Sequence, residues 1–433
     1  MNPKQYGFFR TGLLRTLLAL SIFSTSLSAQ DTLQLAIPAS DDGLPGEGPI
    51  RRYDWFKNLW LKKRTGWANQ VEQDQKSIVF LGDSITQGWT DAFHGHFENL
   101  KKSNRGISGD TTRGVLIRME EDVIKLNPSG IVLLIGTNDL EEGASPRIIA
   151  DNLKLILEKL QSHRADMPII LCQVFPSDSS KKRPASAIKE INKLYQDLAK
   201  DYSQVTMLDT WTLFANSEGN AKADEFPDLL HPNGTGYAMW AASLRPLLAT
   251  LGFLETSTEA FQLENGFASL FNGRNLNGWG FRDNKSMMLK SDFSGKTASD
   301  DGRYQAVNGR IVVTTPSEGR RIQQMWTTIN FPENFILKLE FRATPNADSG
   351  VFIRRPQLQC RDYPLAGPYK NLEKYKPQDW NELVIKVTNN VARCTCNGEL
   401  LEEALQLPAT GPIGLEGDRG QMEYRRIRLK RLQ

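Results

Sequence analysis

From Ser77 onward the chain alternates short apolar runs with stretches whose apolar residues recur every three or four positions. The runs are Ile78–Leu81, Ile131–Ile135, Ile169–Phe175 and Val205–Leu208, and the periodic stretches cover 111–127, 145–163, 185–202 and 235–251. Continuous apolar runs of this length read as strands buried on both faces, and their alternation with helices predicts a parallel sheet in an α/β domain. The stretch 145–163 shows the logic: Ser145-Pro146 is a helix start, and Ile148, Ile149, Leu153, Ile156, Leu157 and Leu160 fall on one face. The helical period stops near Leu251. After a connector over 252–265 the pattern changes to alternation, as in Phe335, Leu337, Leu339 and Phe341 or Leu383, Ile385 and Val387, with turn signals such as Asn308-Gly309 and Asn397-Gly398. That predicts an all-β sandwich over 266–433. Two stretches without clear periodicity, 281–303 and 356–379, are expected to be binding loops.

The α/β domain is expected over 70–251. The preceding segment, 30–69, opens with Pro38, Gly43, Pro45, Gly46, Gly48 and Pro49 and continues into Tyr53, Trp55, Phe56, Trp60 and Trp67, aromatic residues expected to pack on the domain. Residues 1–29 read differently. Lys4, Arg10 and Arg15 precede the apolar run Leu17–Phe23, which ends in the small residues Ser26, Ser28 and Ala29. This is the pattern of a secretory signal, and the run is well short of the ~20 residues a spanning helix needs. Export to the periplasm or beyond is the expectation, with no membrane span once the signal is cleaved.

The formal net charge is +3; residues 1–29 carry three basic and no acidic residues, so cleavage leaves 3 − 3 = 0. A neutral chain is not a general polyanion binder, and no nucleic acid partner is expected. Lys181, Lys182 and Arg183 form a candidate basic patch, whereas the Arg425–Arg431 stretch, with Ile427 and Leu429 interspersed, reads as a solvated strand face. Of the four cysteines, Cys172 lies in an apolar run and is expected in the core, and Cys360 could pair with Cys394 or Cys396. A single Cys-x-Cys without nearby histidines is a weak metal signal, and neither a metal nor another cofactor is expected.

Ser84 follows the first strand directly in Gly82-Asp83-Ser84. There a serine stands at the carboxyl end of a parallel sheet and at a helix start, where such folds bind ligands. Alone it would be read as a helix cap. A nucleophilic serine needs a base, and among His94, His96, His163 and His231 only His231 has a carboxylate, Asp228, three residues before it in the loop ahead of the last helix. Donors for an oxyanion could come from Gly106-Ile107-Ser108-Gly109-Asp110 and from Gly136-Thr137-Asn138-Asp139 at the end of a strand.

These four blocks, Gly82-Asp83-Ser84, Asn104-x-Gly106-x-x-Gly109-Asp110, Gly136-Thr137-Asn138-Asp139 and Asp228-x-x-His231, resemble in order those of the SGNH/GDSL hydrolases, most closely the bacterial relatives of platelet-activating-factor acetylhydrolase. The resemblance implies a flavodoxin-like three-layer sandwich, Ser84 as nucleophile, His231 as general base and Asp228 as the acid that orients it. It also implies an oxyanion hole made by the Ser84 and Gly109 backbone N–H groups and the Asn138 amide. The activity implied is serine esterase chemistry on a short acyl group, acetyl above all, carried by a small molecule or a carbohydrate.

In the second half, Phe267-Ala-Ser-Leu-Phe-Asn-Gly273, Leu276-Asn-Gly-Trp279, Asp348-Ser-Gly-Val-Phe-Ile-Arg354, Trp380-Asn381 and Gly411-Pro-Ile-Gly-Leu415 resemble the 3-keto-disaccharide hydrolase family. That resemblance implies a concanavalin-type jelly roll that recognises or cleaves modified sugars, with Asp348, Arg354, Gln359, Asp362 and Trp380 as candidate sugar-binding residues. Where the family pattern has a glutamate this chain has Gln357, which cannot act as a general acid. The alternative function is a glycosidase acting on 3-keto or modified disaccharides through this domain, with the esterase accessory, and Gln357 counts against it. Trp279 and Trp326 could be stacking platforms or core residues.

Overall fold

The computed structural model describes residues 35–90, 93–254, 261–314 and 324–432. The expected signal, residues 1–29, lies outside them, as does the middle of the connector, 255–260. Among the described residues no helix is long and apolar enough to cross a membrane.

The chain enters through helix α1 (Asp54–Ala68), which the sequence pattern did not declare as a helix. It then builds a five-stranded parallel sheet from β1 (Ile78–Gly82), β2 (Lys102–Gly106), β3 (Gly130–Leu134), β4 (Ile169–Cys172) and β5 (Val205–Leu208), in the order β2-β1-β3-β4-β5. Between the strands run α2 (Ser84–Gly88), α3 (Thr112–Asp122), α4 (Thr137–Glu141), α5 (Pro146–His163) and α6 (Ala185–Ala199), and α7 (Trp211–Phe214) and α8 (Gly234–Thr250) follow β5. Ser145 caps α5 by accepting the Ile148 N–H, with Pro146 at the first helical position. The inner face of α5 joins Val79, Leu133 and Leu171 in one core layer. On the other face of the sheet Trp240 and Leu244 of α8 pack with Phe80, Leu134 and Cys172. Strand β2 was not legible as a run because its sequence, Lys-Ser-Asn-Arg-Gly, is polar. It lies at the sheet edge, where the buried Ser103 hydroxyl meets Ser77 at 2.7 Å and Arg105 pairs with Asp74.

The second half forms two antiparallel sheets around one core. Its strands are β6 (Ala268–Ser269), β7 (Trp279–Arg282), β8 (Leu289–Asp292), β9 (Tyr304–Val307), β10 (Arg310–Val313), β11 (Met325–Thr327), β12 (Phe335–Ala343), β13 (Gly350–Ile353) and β14 (Gln357–Gln359). After the short helix α9 (Tyr363–Ala366) come β15 (Asn381–Thr388), β16 (Val391–Cys396), β17 (Glu399–Gln406), β18 (Ile413–Leu415) and β19 (Met422–Arg431). One sheet runs β17-β16-β15-β12-β19-β10-β9, with β6 beside β19, and the other runs β14-β13-β18-β11-β7-β8. Alternate residues of β12 and β15 point into a core that also holds Trp279 and Tyr424.

Several expectations change. The stretch 281–303 is not a structureless loop, since β8 pairs with β7 in a hairpin; the polar sequence Leu-Lys-Ser-Asp of β8 hid it. Likewise 356–379 holds β14 and α9. The Arg425–Arg431 stretch is an interior strand rather than a solvated face, with Arg425 paired to Glu340 and the buried Arg428 to Glu264 and Glu382. Cys172, Cys360, Cys394 and Cys396 are all buried free thiols, so Cys360 makes no disulfide with its neighbours; burial pushes Cys394 and Cys396 up to about 12.

The two domains dock through β19, β10 and β12 against α8 and the end of β5. Arg342 pairs with the buried Glu423 and donates to the Pro246 carbonyl and, at 2.7 Å, to the Thr250 hydroxyl. Gln421 accepts the Asp209 N–H at 3.2 Å, and Val312 sits in the apolar layer of the first domain.

Candidate active site

Ser84 is the first residue of α2, and Asp83 caps that helix by accepting the Ile85 N–H at 2.9 Å. The turn is tight. A Cβ added at Gly82 would lie 2.3 Å from the Leu134 carbonyl, and one at Gly106 would lie 2.8 Å from the Asp83 carbonyl. Tyr237 of α8 donates to the Ile85 carbonyl at 2.8 Å, which ties the nucleophile turn to the last helix.

The loop before α8 wraps around its own carboxylate. Asp228 Oδ1 accepts the backbone N–H of Leu230 and of His231, at 3.0 and 2.7 Å, and Oδ2 lies 2.7 Å from His231 Nδ1. Burial pushes the Asp228 carboxyl up, but the His231 N–H, the His231 ring and the Leu230 N–H outweigh it and hold the group below the usual carboxylate range. Leu229 takes a positive φ of 61° to close this turn, and Ser177 donates to its carbonyl at 2.8 Å. The far ring nitrogen, His231 Nε2, lies 3.0 Å from Ser84 Oγ. The three residues thus form one hydrogen-bonded chain, and the His231 and Asp228 side chains are 44% and 47% exposed, so this chain lies at an open surface.

The expected oxyanion donors all follow the carboxyl ends of the parallel strands β1, β2 and β3. Gly109 has φ +88°, and a Cβ there would meet Trp55 at 2.8 Å and Arg51 at 3.0 Å, so both backbone and space require glycine. Among the described residues the hydrogen bonds of the turns leave the Ser84 and Gly109 N–H groups without a protein acceptor. Asn138 is buried at the start of α4; its Nδ2 donates to the Asp110 carbonyl at 2.9 Å, and its Oδ1 accepts Arg183 Nη2 at 2.9 Å. Arg183 is therefore not part of a basic patch: it is 2% exposed and donates to Thr137, Lys181, Asn138 and Glu141. Nothing in the sequence signals this role except its position after Pro176-Ser177-Asp178, at the end of the β4 loop.

Beneath the turn lie three buried carboxyls, Asp83, Asp110 and Asp139. Burial pushes Asp83 up to about 7 and the other two to about 6, reinforced by the Asp110 charge at Asp83 and Asp139 and by the Asp122 charge at Asp110. Arg118 pairs with Asp110 at 2.7 Å and donates to the Gly82 and Arg105 carbonyls, joining the ends of β1 and β2. Asp139 accepts the N–H and the hydroxyl of Thr112, which fixes α4 to α3. His94, His96 and His163 stand apart from this chain; His94 and His96 pack near Tyr237 and Trp89.

The five candidate sugar residues of the second domain do not converge. Asp348 is buried between Arg361 and Arg419, and Gln359 bonds Gln357 at 3.3 Å. Next to them is a residue the sequence reading passed over, Glu416, one position beyond the Gly411–Leu415 motif. Gln357 Nε2 donates to Glu416 Oε2 at 2.5 Å, so the carboxyl absent at 357 is met by one just past the end of β18, across the intervening β13. Burial, with Asp418 and Asp348 close by, pushes Glu416 up to about 7. Arg354, by contrast, is spent on the Glu333 and Pro408 carbonyls and Asn390, and Asp362 accepts the Asn346 N–H. Trp380 lies at the domain junction, its ring 4.4 Å from the Arg342 guanidinium carbon and 4.0 Å from that of Arg425, beside a cavity of about 670 Å³. Trp279 and Trp326 are core residues. Among the described residues no group of three or more His, Cys, Asp or Glu is placed to hold a metal ion.

Comparison with known proteins gives two family matches: the GDSL-like Lipase/Acylhydrolase family over residues 80–239 and the 3-keto-alpha-glucoside-1,2-lyase-like domain over residues 266–430. Platelet-activating factor acetylhydrolase IB subunit alpha2 of Homo sapiens is 26% identical over 239 residues, 54% of this chain and 98% of that protein. Among solved structures, the lipase/acylhydrolase from Enterococcus faecalis is 25% identical with TM-score 0.35, covering 42% of this chain and 100% of that one. An acetyl-xylooligosaccharide esterase from Geobacillus Stearmophilus is 21% identical with TM-score 0.35, covering 42% and 97%. The family match and the curated relatives indicate a carboxylic ester hydrolase.

Proposed function

We propose that the protein is an exported esterase that removes short acyl groups, acetyl first among them, from carbohydrate, using Ser84, His231 and Asp228. The observation that carries this is the unbroken chain from Asp228 Oδ2 through both ring nitrogens of His231 to Ser84 Oγ, at 2.7 and 3.0 Å. In this reading His231 Nε2 takes the Ser84 proton as Oγ attacks the ester carbonyl, and Asp228 holds the tautomer with Nδ1–H and supports the imidazolium. The carbonyl oxygen becomes an oxyanion facing the Ser84 and Gly109 N–H groups and the second Asn138 N–H. His231 returns the proton to the leaving alcohol, and water repeats the sequence on the acyl-enzyme to release the acid. The exposed His231 and Asp228 favour an alcohol portion too large to be enclosed, as an oligosaccharide is. The matched sugar-lyase-like domain supports the same substrate class. Hydrolysis of p-nitrophenyl acetate, p-nitrophenyl butyrate and acetylated oligosaccharide by wild type and Ser84→Ala tests the reading: acetate is expected to be preferred and Ser84→Ala to be inactive. A folded wild type inert on all three would overturn it.

A second reading draws on Glu416. A carboxyl poised near neutrality against Gln357 and close to Asp348 and Asp418 is what sugar cleavage in the β domain requires. Release of sugar from a 3-keto-disaccharide by wild type but not by Glu416→Gln is its test.

A further inference from the structure

The segment that enters the first domain carries five aromatic residues, and the structure divides them. Phe56, Trp60 and Trp67 are buried on the inner face of α1. Tyr53 and Trp55 are each 53% exposed, although burying either ring would be favourable. Their planes lie within 8° of each other with centroids 6.4 Å apart, and Trp55 is braced edge-on by Phe56 at 5.5 Å. Among the described residues the other strongly exposed aromatic ring, Phe261, is covered by the guanidinium groups of Arg426 and Arg428; no cation covers Tyr53 or Trp55. Paired exposed rings of this kind mark recognition surfaces.

Their position is specific. The Trp55 ring edge is the nearest atom to a Cβ built on Gly109, so Trp55 borders the loop whose N–H group is the proposed oxyanion donor. Polar groups frame it: Arg51 pairs with Glu141 and Glu142, both partly exposed, and Tyr53 Oη lies 3.5 Å from Glu142. Glu141 also accepts from Arg183, the residue that holds Asn138.

We propose that Tyr53 and Trp55 are a stacking platform for a pyranose ring in the alcohol portion of the ester, which makes the lead-in segment part of the substrate site. Axial C–H groups of a pyranose present positive edges that suit the negative face of an aromatic ring. Its hydroxyls suit Glu141, Glu142 and Arg51, the donors and acceptors alongside. A long acyl chain is the wrong occupant, since it would need an apolar enclosure and would meet two carboxylates here. The proposal rests on the esterase reading of Ser84 and assigns the class of its alcohol.

The test compares wild type, Tyr53→Ala and Trp55→Ala on an acetylated xylo-oligosaccharide and on p-nitrophenyl acetate. The KM for the sugar ester is expected to rise about tenfold, the scale of one ring contact, with kcat within about twofold, and the loss on p-nitrophenyl acetate is expected to be about tenfold smaller. Equal loss on both esters, or none on the sugar ester, overturns the platform and leaves the rings as props for the Gly109 loop. Should Trp55→Ala fail to fold, Tyr53→Ala, at an exposed ring that is not among the atoms nearest a Cβ on Gly109, decides the matter by the same criteria. A wild type active on p-nitrophenyl acetate whose KM for the sugar ester is no lower than for that small ester overturns the platform alone. A wild type inert on both overturns the esterase reading together with it.

Discussion

Replacing Asn138 by alanine isolates the electrostatic part of the proposed reaction from the proton shuttle. The amide is held at both ends: Oδ1 is taken by Arg183, which forbids a flip, and one Nδ2 hydrogen goes to the Asp110 carbonyl. The second hydrogen is the proposed donor to the oxyanion. Loss of one such donor raises the barrier by about 2.7–4 kcal/mol, or 10²–10³ in kcat, with little change in KM because the bond matters in the transition state rather than the ground state. The same substitution strands the Asp110 carbonyl and one Arg183 N–H in a buried place, so unfolding should become easier by about 1–3 kcal/mol. Steady-state hydrolysis of p-nitrophenyl acetate, with circular dichroism to certify folding, separates the two effects. Asn138→Asp keeps the shape but offers only acceptors, and should lose at least as much kcat. A folded Asn138→Ala protein with kcat within tenfold of wild type would refute the assignment of Asn138 to the oxyanion hole.

Three other outcomes follow from particular contacts. Asp228→Asn keeps the turn's shape but favours the wrong His231 tautomer, and kcat on p-nitrophenyl acetate should fall on the order of 10³–10⁴; a loss under tenfold contradicts the role given to Asp228. Asp83 has its folded pKa raised to about 7, above an unfolded value of 3.8, so its contribution to stability is complete below about pH 4 and is lost as pH rises through 7. A shift of about three units amounts to ~4 kcal/mol at most, and Asp83→Asn should therefore gain Tm relative to wild type between pH 4.5 and pH 8; an unchanged Tm difference at the two pH values argues against a neutral Asp83. Arg342→Ala leaves Glu423, 1% exposed, without its main cation at the domain junction, and should cost about 3–5 kcal/mol in urea unfolding; a change under 1 kcal/mol would mean that this junction is not formed in solution.

Much of the α/β domain was legible because its strands are buried on both faces and its helices are amphipathic. Pro146–His163, Val205–Leu208 and Gly234–Thr250 fall within a residue or two of the periodic stretches. What escaped was polar: β2 at the sheet edge and β8 in its hairpin satisfy backbone hydrogen bonds without presenting an apolar run. Helix α1 escaped because its aromatic residues, at 53, 55, 56, 60 and 67, serve two faces and obscure the helical period. The proposed catalytic residues could be read from the order of four short blocks. The residues that hold them could not. Arg183 and Arg118 look like surface charge in sequence, and only the crossing of loops from distant segments shows that they are buried. The same holds in the β domain, where Glu416 meets Gln357 across 59 residues and the candidates Arg354 and Trp380 are committed to other contacts.

Covalent labelling reports directly on whether Ser84 is the nucleophile. The protein is incubated with a p-nitrophenyl phosphonate ester, its intact mass is measured and the adduct is mapped by peptide mass spectrometry, while p-nitrophenyl acetate hydrolysis is followed in parallel. One adduct is expected, on Ser84, formed in step with loss of activity, slowed in His231→Ala and absent in Ser84→Ala. Complete loss of activity with the label on another residue, or hydrolysis that persists in Ser84→Ala, would contradict it.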